Sequence, residues 1–333
     1  MSVERPSIFV STAPFGAIDP TPRLELEKTG WDVRYNVNNR KLSPQEVAEL
    51  AVECDGLIAG TEDLTPLIAA NQKLRMIARV GIGLDSVPLT LCRDRGIAVA
   101  YTPDAVTMAV VELTVGLMVS ASRLVGQVDR AIRCGRWIRP QGRRIGGSVV
   151  GLVGLGRIGA RVANALQGFS PSRILVADIL DKRNEITELA ARTGLAIEQV
   201  TLDELLTQAN IVSLHVPLTR ATRGMIDAAA LHRMQGDAVL INTSRGGVVD
   251  EKALFDTMTA GHLAGAAIDV FEQEPYLGPL RQLDNVIVTS HLGSCSVDCR
   301  ARMETEAAHD AIRFFRGEPL VSPVPAEEYE NQQ

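Results

Sequence analysis

The chain has 333 residues, 46% of them hydrophobic and 22% charged, with a net charge of −6. That length is enough for two ordinary domains, and the composition is that of a globular protein in water rather than a disordered or fibrous chain. An acidic chain with a pI near 5.5 argues against a nucleic-acid partner, which normally meets a basic face.

The first ten residues, MSVERPSIFV, lack the basic-then-apolar layout of a secretory signal, so a cytoplasmic location is expected. No membrane span is expected either. The longest apolar stretch, around Met108 to Val119, is interrupted by Glu112 and Thr114 and falls short of the roughly 20 apolar residues a span needs. The cysteines, Cys54, Cys92, Cys134, Cys295 and Cys299, are odd in number and scattered, which reads as free thiols. Cys295 and Cys299 are four apart, as on one helical face, but no further ligands accompany them and no metal is expected.

Apolar runs of the kind found in buried parallel strands alternate with helical patterns. In chain order the predicted strands are Ser7–Ser11, Leu57–Gly60, Met76–Val80, Ile97–Ala100, Val149–Val153, Ile174–Ala177, Ile211–Leu214, Ala238–Ile241, Ala266–Asp269 and Val286–Val288. Helical patterns separate most of them, as at Pro44–Glu53 and Leu202–Gln208. This alternation predicts an α/β fold with helices on both faces of parallel sheets. The stretch Val106–Arg123 is apolar nearly all round as a helix. It should therefore be buried on several sides, between domains or between subunits. Just before it, Thr102–Pro103 is a plausible crossing point between domains. The tail after Pro325 is polar and is expected to fray.

The most informative segment lies at mid-chain. The apolar strand Val149–Val153 runs into Gly154-Leu-Gly156-Arg157-Ile158-Gly159 and then into a helical stretch, Ala160–Leu166. A second strand, Ile174–Ala177, ends in Asp178, 19 residues beyond Gly159. A lone glycine fingerprint is weak, but strand, glycines, helix, strand and acid in this order specify a dinucleotide site. Gly154 permits the tight turn, Gly156 lets the pyrophosphate approach the backbone, and Gly159 lets helix and strand pack closely. Free N–H groups of the helix N-terminus, with Arg157 and Ile158 in its first turn, receive the pyrophosphate. Asp178 can accept hydrogen bonds from the adenosine ribose and repels a 2′-phosphate, which favours NAD over NADP.

Four further motifs follow: His215-Val-Pro-Leu-Thr219, Ile241-Asn-Thr-Ser-Arg-Gly-Gly-Val-Val-Asp-Glu251, Asp269-Val-Phe-Glu-Gln-Glu-Pro275 and Thr289-Ser-His-Leu-Gly293. With the glycine loop, they closely resemble the D-isomer-specific 2-hydroxyacid dehydrogenase family, from about residue 50 to about residue 320. The resemblance implies two doubly wound parallel-sheet domains. A Rossmann cofactor domain (104–292) is inserted into a discontinuous, flavodoxin-like substrate domain (1–103 and 293–333), with catalysis in the cleft between them. Only 42 residues follow His291, so the regulatory domains that some phosphoglycerate dehydrogenases carry are not expected here.

Residue by residue, the resemblance makes Arg245 the substrate-binding arginine, His291 the acid/base and Glu274 its supporting carboxylate. It adds His215, Val216, Pro217, Thr243, Ser244, Asp269, Gly293 and Ser294 to the cofactor site, Asp269 toward the nicotinamide carboxamide. Amides near Val80 and Gly81 would hold the substrate carboxylate, with Arg79 a further anion partner and Gly60–Thr61 lining the distal pocket. One departure is Ser290, where the family usually has proline. The family also tends to form homodimers through the cofactor domain.

These residue types suit hydride transfer between nicotinamide and the C2 of a hydroxy or keto acid. The histidine exchanges the hydroxyl proton near working pH. The carboxylate fixes its tautomer and supports the imidazolium, and the arginine grips the substrate carboxylate while polarising the carbonyl. His232, His262 and His309 read as structural or surface residues. Two alternatives share the same constellation: a phosphonate- or phosphite-type oxidoreductase, and an NAD-sensing corepressor-like binding protein.

Overall fold

The computed structural model describes residues 5–332. Residues 1–4, on which part of the signal-peptide reading rests, and Gln333 in the tail lie outside the described residues. The chain forms two compact units, Met1–Val106 with Ser294–Gln333, and Thr107–Gly293. Each carries one parallel sheet.

In the first unit the strands are β1 (Ser7–Val10), β2 (Asp32–Tyr35), β3 (Gly56–Ala59), β4 (Met76–Arg79) and β5 (Ala98–Ala100), in the order β2-β1-β3-β4-β5. The second unit has β6 (Val149–Val153), β7 (Arg173–Ala177), β8 (Ile197–Gln199), β9 (Ile211–Leu214), β10 (Val239–Asn242), β11 (Gly265–Ile268) and β12 (Val286–Val288). Their order is β12-β11-β10-β9-β6-β7-β8. The first order is flavodoxin-like and the second is a Rossmann sheet with one added strand. The order reverses between β1 and β3 in the first unit and between β6 and β9 in the second.

Burial explains why these runs are strands. Along β7, Ile174 and Val176 enter one apolar cluster with Leu152, Val162 and Ile241. Leu175 and Ala177 enter another with Leu214, Leu240 and Leu254. The period of two sends alternate side chains to opposite faces, and helices cover both faces, so every position from Ile174 to Ala177 is apolar. Two strands escape this signature. β2 (Asp-Val-Arg-Tyr) and β8 (Ile-Glu-Gln) lie at sheet edges and have no fully buried residue. Their polar alternation hides them from a search for apolar runs.

Three other expectations need correction. The helix Pro103–Ser122 is, by length and composition, apolar enough to cross a membrane; Pro103 and Asp104 open it earlier than its apolar residues suggest. More than half of it is packed inside the protein, as in the core helix of a globular fold. The tail does not fray: Ala326–Asn331 is a helix. Gln332 donates to the carbonyls of Leu84 and Val87 and accepts from the amide of Leu89, so polar bonds hold what apolar contacts do not. Cys295 does not share a helical face with Cys299, because the helix Val297–Phe315 starts after its N-cap, Ser296. None of the five cysteines is in a disulfide.

That helix fastens the two segments of the first unit to each other. Glu304, 1% exposed, accepts from Arg300 Nε at 2.5 Å and from the Gly16 amide at 2.8 Å. Removing the buried carboxylate takes the acceptor from the Gly16 amide and from Arg300 Nε, so Glu304→Ala should destabilise the protein by about 3 kcal/mol. Denaturant unfolding followed by circular dichroism checks this. A loss below about 1 kcal/mol, the worth of an exposed pair, would refute the reading of Glu304 as a buried anchor.

Candidate active site

The candidate groups of the second unit gather at the carboxyl ends of its strands. β6 ends at Val153 and β9 at Leu214, paired at the reversal of strand order. Gly154 follows with φ +96°, a left-handed conformation that L side chains rarely adopt. A Cβ on Gly154 would lie 2.6 Å from the His215 carbonyl, and one on Gly159 would lie 2.2 Å from the Gly154 carbonyl. These two glycines are demanded by close packing. Gly156 is different: a Cβ there would meet nothing within 4 Å. It caps the helix Arg157–Ala165 without any side-chain cap hydrogen bond, which leaves the first-turn amides to an anion. A dinucleotide pyrophosphate fits this arrangement. Asp178, just past β7, accepts from the amides of Leu155 at 2.8 Å and Leu180 at 2.9 Å. The carboxylate is thereby fixed beside the glycine turn.

His215 lies on the other side of that turn. Burial pushes its imidazole down to about 4, and its Nε2 is buried without a hydrogen-bond partner. At neutral pH the ring is therefore uncharged, which suits a polar contact to a cofactor better than proton exchange.

β10 ends at Asn242, which organises the turn carrying Thr243, Ser244 and Arg245. Its Oδ1 accepts from the Ser244 amide at 3.1 Å and hydroxyl at 2.8 Å, and its Nδ2 donates to the Arg245 carbonyl at 3.0 Å. Arg245 Nη1 donates to the Ser244 carbonyl at 2.7 Å. Thr243 Oγ1 lies 2.8 Å from Thr114 Oγ1, so the apolar helix also positions the turn. A Cβ on Gly246 would sit 2.0 Å from the backbone of Phe271. This close crossing brings the arginine turn against the loop that holds Glu274.

Asp269, just past β11, is fully buried. Its carboxylate accepts from Thr289 Oγ1 at 2.6 Å and from the amides of Leu292 at 2.8 Å and Gly293 at 3.0 Å. Its carbonyl accepts from the His291 amide at 2.8 Å. These bonds hold His291 at φ +57°, a strained conformation for a residue with a side chain. The imidazole Nδ1 lies 2.9 Å and 3.1 Å from the two Glu274 carboxylate oxygens, one of which also accepts from the Phe271 amide at 3.1 Å. Carboxylate and imidazole side chains are each about two-fifths exposed.

Two positioning residues were not singled out from the sequence, Asn242 and Thr289. Asparagine at the end of a strand is a turn-forming signal and could have revealed the first. Thr289 has no comparable signature. Ser294 belongs to the first unit. Within that unit, Arg79 is buried and its Nη1 donates to the Val80 carbonyl. The Val80 amide donates to the Ala59 carbonyl at 2.9 Å, and the Gly81 amide donates to Thr102 Oγ1 at 2.8 Å. These amides are engaged within the fold, because Val80 continues the β3–β4 ladder. Among the described residues no group of three His, Cys, Asp or Glu side chains is placed to hold a metal.

Comparison with known proteins identifies relatives of this chain. The family model for the D-isomer specific 2-hydroxyacid dehydrogenase NAD binding domain matches residues 115–293. The chain is 38% identical over 286 residues to a glyoxylate reductase of Korarchaeum cryptofilum, covering 83% of this chain and 84% of that one. It is 33% identical over 278 residues to a hydroxypyruvate reductase of Thermotoga maritima, covering 81% and 88%. A solved structure, the TT0316 protein of Thermus thermophilus, superposes with a TM-score of 0.84 at 31% identity, covering 96% of this chain and all of that one. Reductases of this kind favour neither a phosphite-type oxidoreductase nor a corepressor. A dinucleotide turn, a buried Asp269 that shapes the histidine loop, and a family match over more than half the sequence lead to one conclusion: the chain belongs to the D-isomer-specific 2-hydroxyacid dehydrogenase family and is an NAD-dependent oxidoreductase that interconverts 2-hydroxy and 2-keto acids.

Proposed function

We propose that the chain reduces a short 2-keto acid of the glyoxylate or hydroxypyruvate type to its D-2-hydroxy acid, with His291 as proton donor. The observation that carries this reading is the Glu274–His291 contact at 2.9 Å. With Nδ1 committed to the carboxylate, proton exchange with substrate runs through Nε2. Imidazolium gives its proton to the carbonyl oxygen during reduction, and neutral imidazole takes it back during oxidation. Glu274 orients the ring and fixes its tautomer. Arg245 binds the substrate carboxylate and polarises the carbonyl. Bound NAD supplies or accepts the hydride. Amides near Val80 and Gly81, with Arg79 behind them, hold the substrate carboxylate on the first unit, where a substrate anion would compete with their present acceptors.

For the cofactor, Gly154, Gly156, Arg157, Ile158 and Gly159 cradle the pyrophosphate and Asp178 takes the adenosine ribose. His215, Val216, Pro217, Thr243, Ser244, Asp269, Gly293 and Ser294 line the nicotinamide half. The protein acts in the cytoplasm as a homodimer. Support for the dimer comes from exposed apolar side chains on and after the apolar helix: Met108 is 53% exposed, Ile132 50% and Trp137 81%. Large apolar side chains left in water favour an association that covers them.

His291→Ala should lower kcat by about 10²–10⁴, the usual range for general acid–base help, with glyoxylate and NADH as substrates. A variant retaining kcat within a few-fold would remove His291 from the mechanism.

The cofactor assignment has its own test. The fixed carboxylate of Asp178 should give a preference for NADH over NADPH in kcat/KM of about tenfold or more, since a like charge beside a 2′-phosphate costs on the order of 1–3 kcal/mol. Asp178→Ser should narrow it. Equal use of both cofactors by the parent would show that Asp178 does not read the ribose.

Light scattering at micromolar concentration should report twice the 35.9 kDa chain mass. A monomer mass alone would refute the dimer.

A further inference from the structure

In the first unit the strand order reverses between β1 and β3. An open α/β sheet takes its ligand at the carboxyl ends of such strands. Ser11 follows β1, and Gly60 to Glu62 follow β3. Glu62 is 2% exposed. Its carboxylate lies over Gly60, where a Cβ would come within 2.8 Å of Oε2 and 2.9 Å of Oε1. The missing side chain at residue 60 makes the room in which the carboxylate rests.

The bonding of this carboxylate is poor for its burial. Its hydrogen-bond partner is Ser11 Oγ, at 3.5 Å. Charge-assisted bonds to a carboxylate run to about 2.7–2.9 Å, and 3.5 Å is near the limit of any hydrogen bond. The single Ser11 hydroxyl proton is shared between Glu62 and the Ile58 carbonyl, which lies at 3.4 Å, and Ser11 Oγ accepts from the Gly60 amide at 3.4 Å. Among the described residues no cation pairs with Glu62. Arg300, which reaches neighbouring Thr12, bonds instead to Glu304, Thr12 Oγ1 and the Pro14 carbonyl. A buried carboxylate short of donors is costly, and a ligand donor would relieve that cost.

The sheet places it usefully. Ala59 pairs with Arg79, so Gly60 stands beside Val80 at the same edge, one strand spacing of about 4.8 Å away. If the substrate carboxylate sits at Val80–Gly81, that spacing matches the reach from the C1 carboxylate of a short acid to its C3 substituent. We propose that Glu62 is a specificity-determining residue that accepts a hydrogen bond from a hydroxyl on C3 of the substrate and repels a phosphate at that position. The inference rests on the reading of the chain as a short-chain 2-keto acid reductase.

The test compares NADH-dependent kcat/KM for glyoxylate, which has no C3, with hydroxypyruvate and its 3-phosphate. A site built to bond a hydroxyl discriminates strongly against an analogue lacking it, so Glu62→Leu should lower the hydroxypyruvate-to-glyoxylate ratio by about tenfold or more. Glu62→Gln keeps an acceptor, removes the charge and retains the shape, and serves if the leucine variant does not fold. It should raise the ratio of 3-phosphohydroxypyruvate to hydroxypyruvate by about tenfold, as expected for removing a like charge. Ratios that stay at the parent values in a folded variant overturn the role of Glu62. A parent enzyme that turns over none of the three acids overturns the reductase reading itself and this inference with it.

Discussion

A parallel strand buried on both faces can be continued only by a chain that leaves the sheet, crosses it as a helix and returns. Each strand of this protein therefore ends in an abrupt turn at one edge, where backbone groups lose their ladder partners and must find others. Gly154, Asp178, His215, Thr243 and Asp269 all stand just beyond the last residue of a strand in the second unit. Ser11, Gly60 and Val80 do so in the first. The candidate site residues stand along those strand ends because that is where the chain turns out of the ladder and side chains of successive strands can converge.

Local bonding at the edges then sets side-chain geometry. Asp269 shows how far one buried carboxylate can reach. It binds Thr289 and the amides of Leu292 and Gly293, while its carbonyl receives the His291 amide. The His291 backbone is thus held in a left-handed conformation, and the imidazole meets Glu274 across the loop. Strain of this sort persists only where neighbouring bonds over-determine it. The serine at residue 290 does not disturb this arrangement, since the bonds come from Asp269 and not from the residue before the histidine.

Electrostatics separates the histidines by role. His215 is held neutral by burial, which pushes its pKa down to about 4, beside the glycine turn. His291 is partly exposed and paired with a carboxylate. The same residue type thus meets an uncharging, buried setting in one place and a partly exposed carboxylate partner in another, because the surroundings differ and not the side chain.

Much of this was legible in the residues alone. The apolar runs from Val149 to Val288 mark central strands because both faces of each are buried. The glycine spacing marks the dinucleotide turn because two of those positions have no room for a Cβ. The ordered motifs around Arg245, Glu274 and His291 carry the family. Only the folded chain could decide the rest. The edge strands β2 and β8 are polar, so hydrogen bonds to a neighbour distant in sequence define them. The C-terminal helix is secured by Gln332 reaching residues 84–89, a contact no local pattern encodes. The amides of Val80 and Gly81 look available in the sequence but are engaged in the fold. Glu62 reads as an ordinary loop acid until the sheet buries it beside Ser11. Local patterns reveal what depends on periodicity and on space for a side chain, whereas the partner of a buried polar group is fixed by segments that meet only in three dimensions.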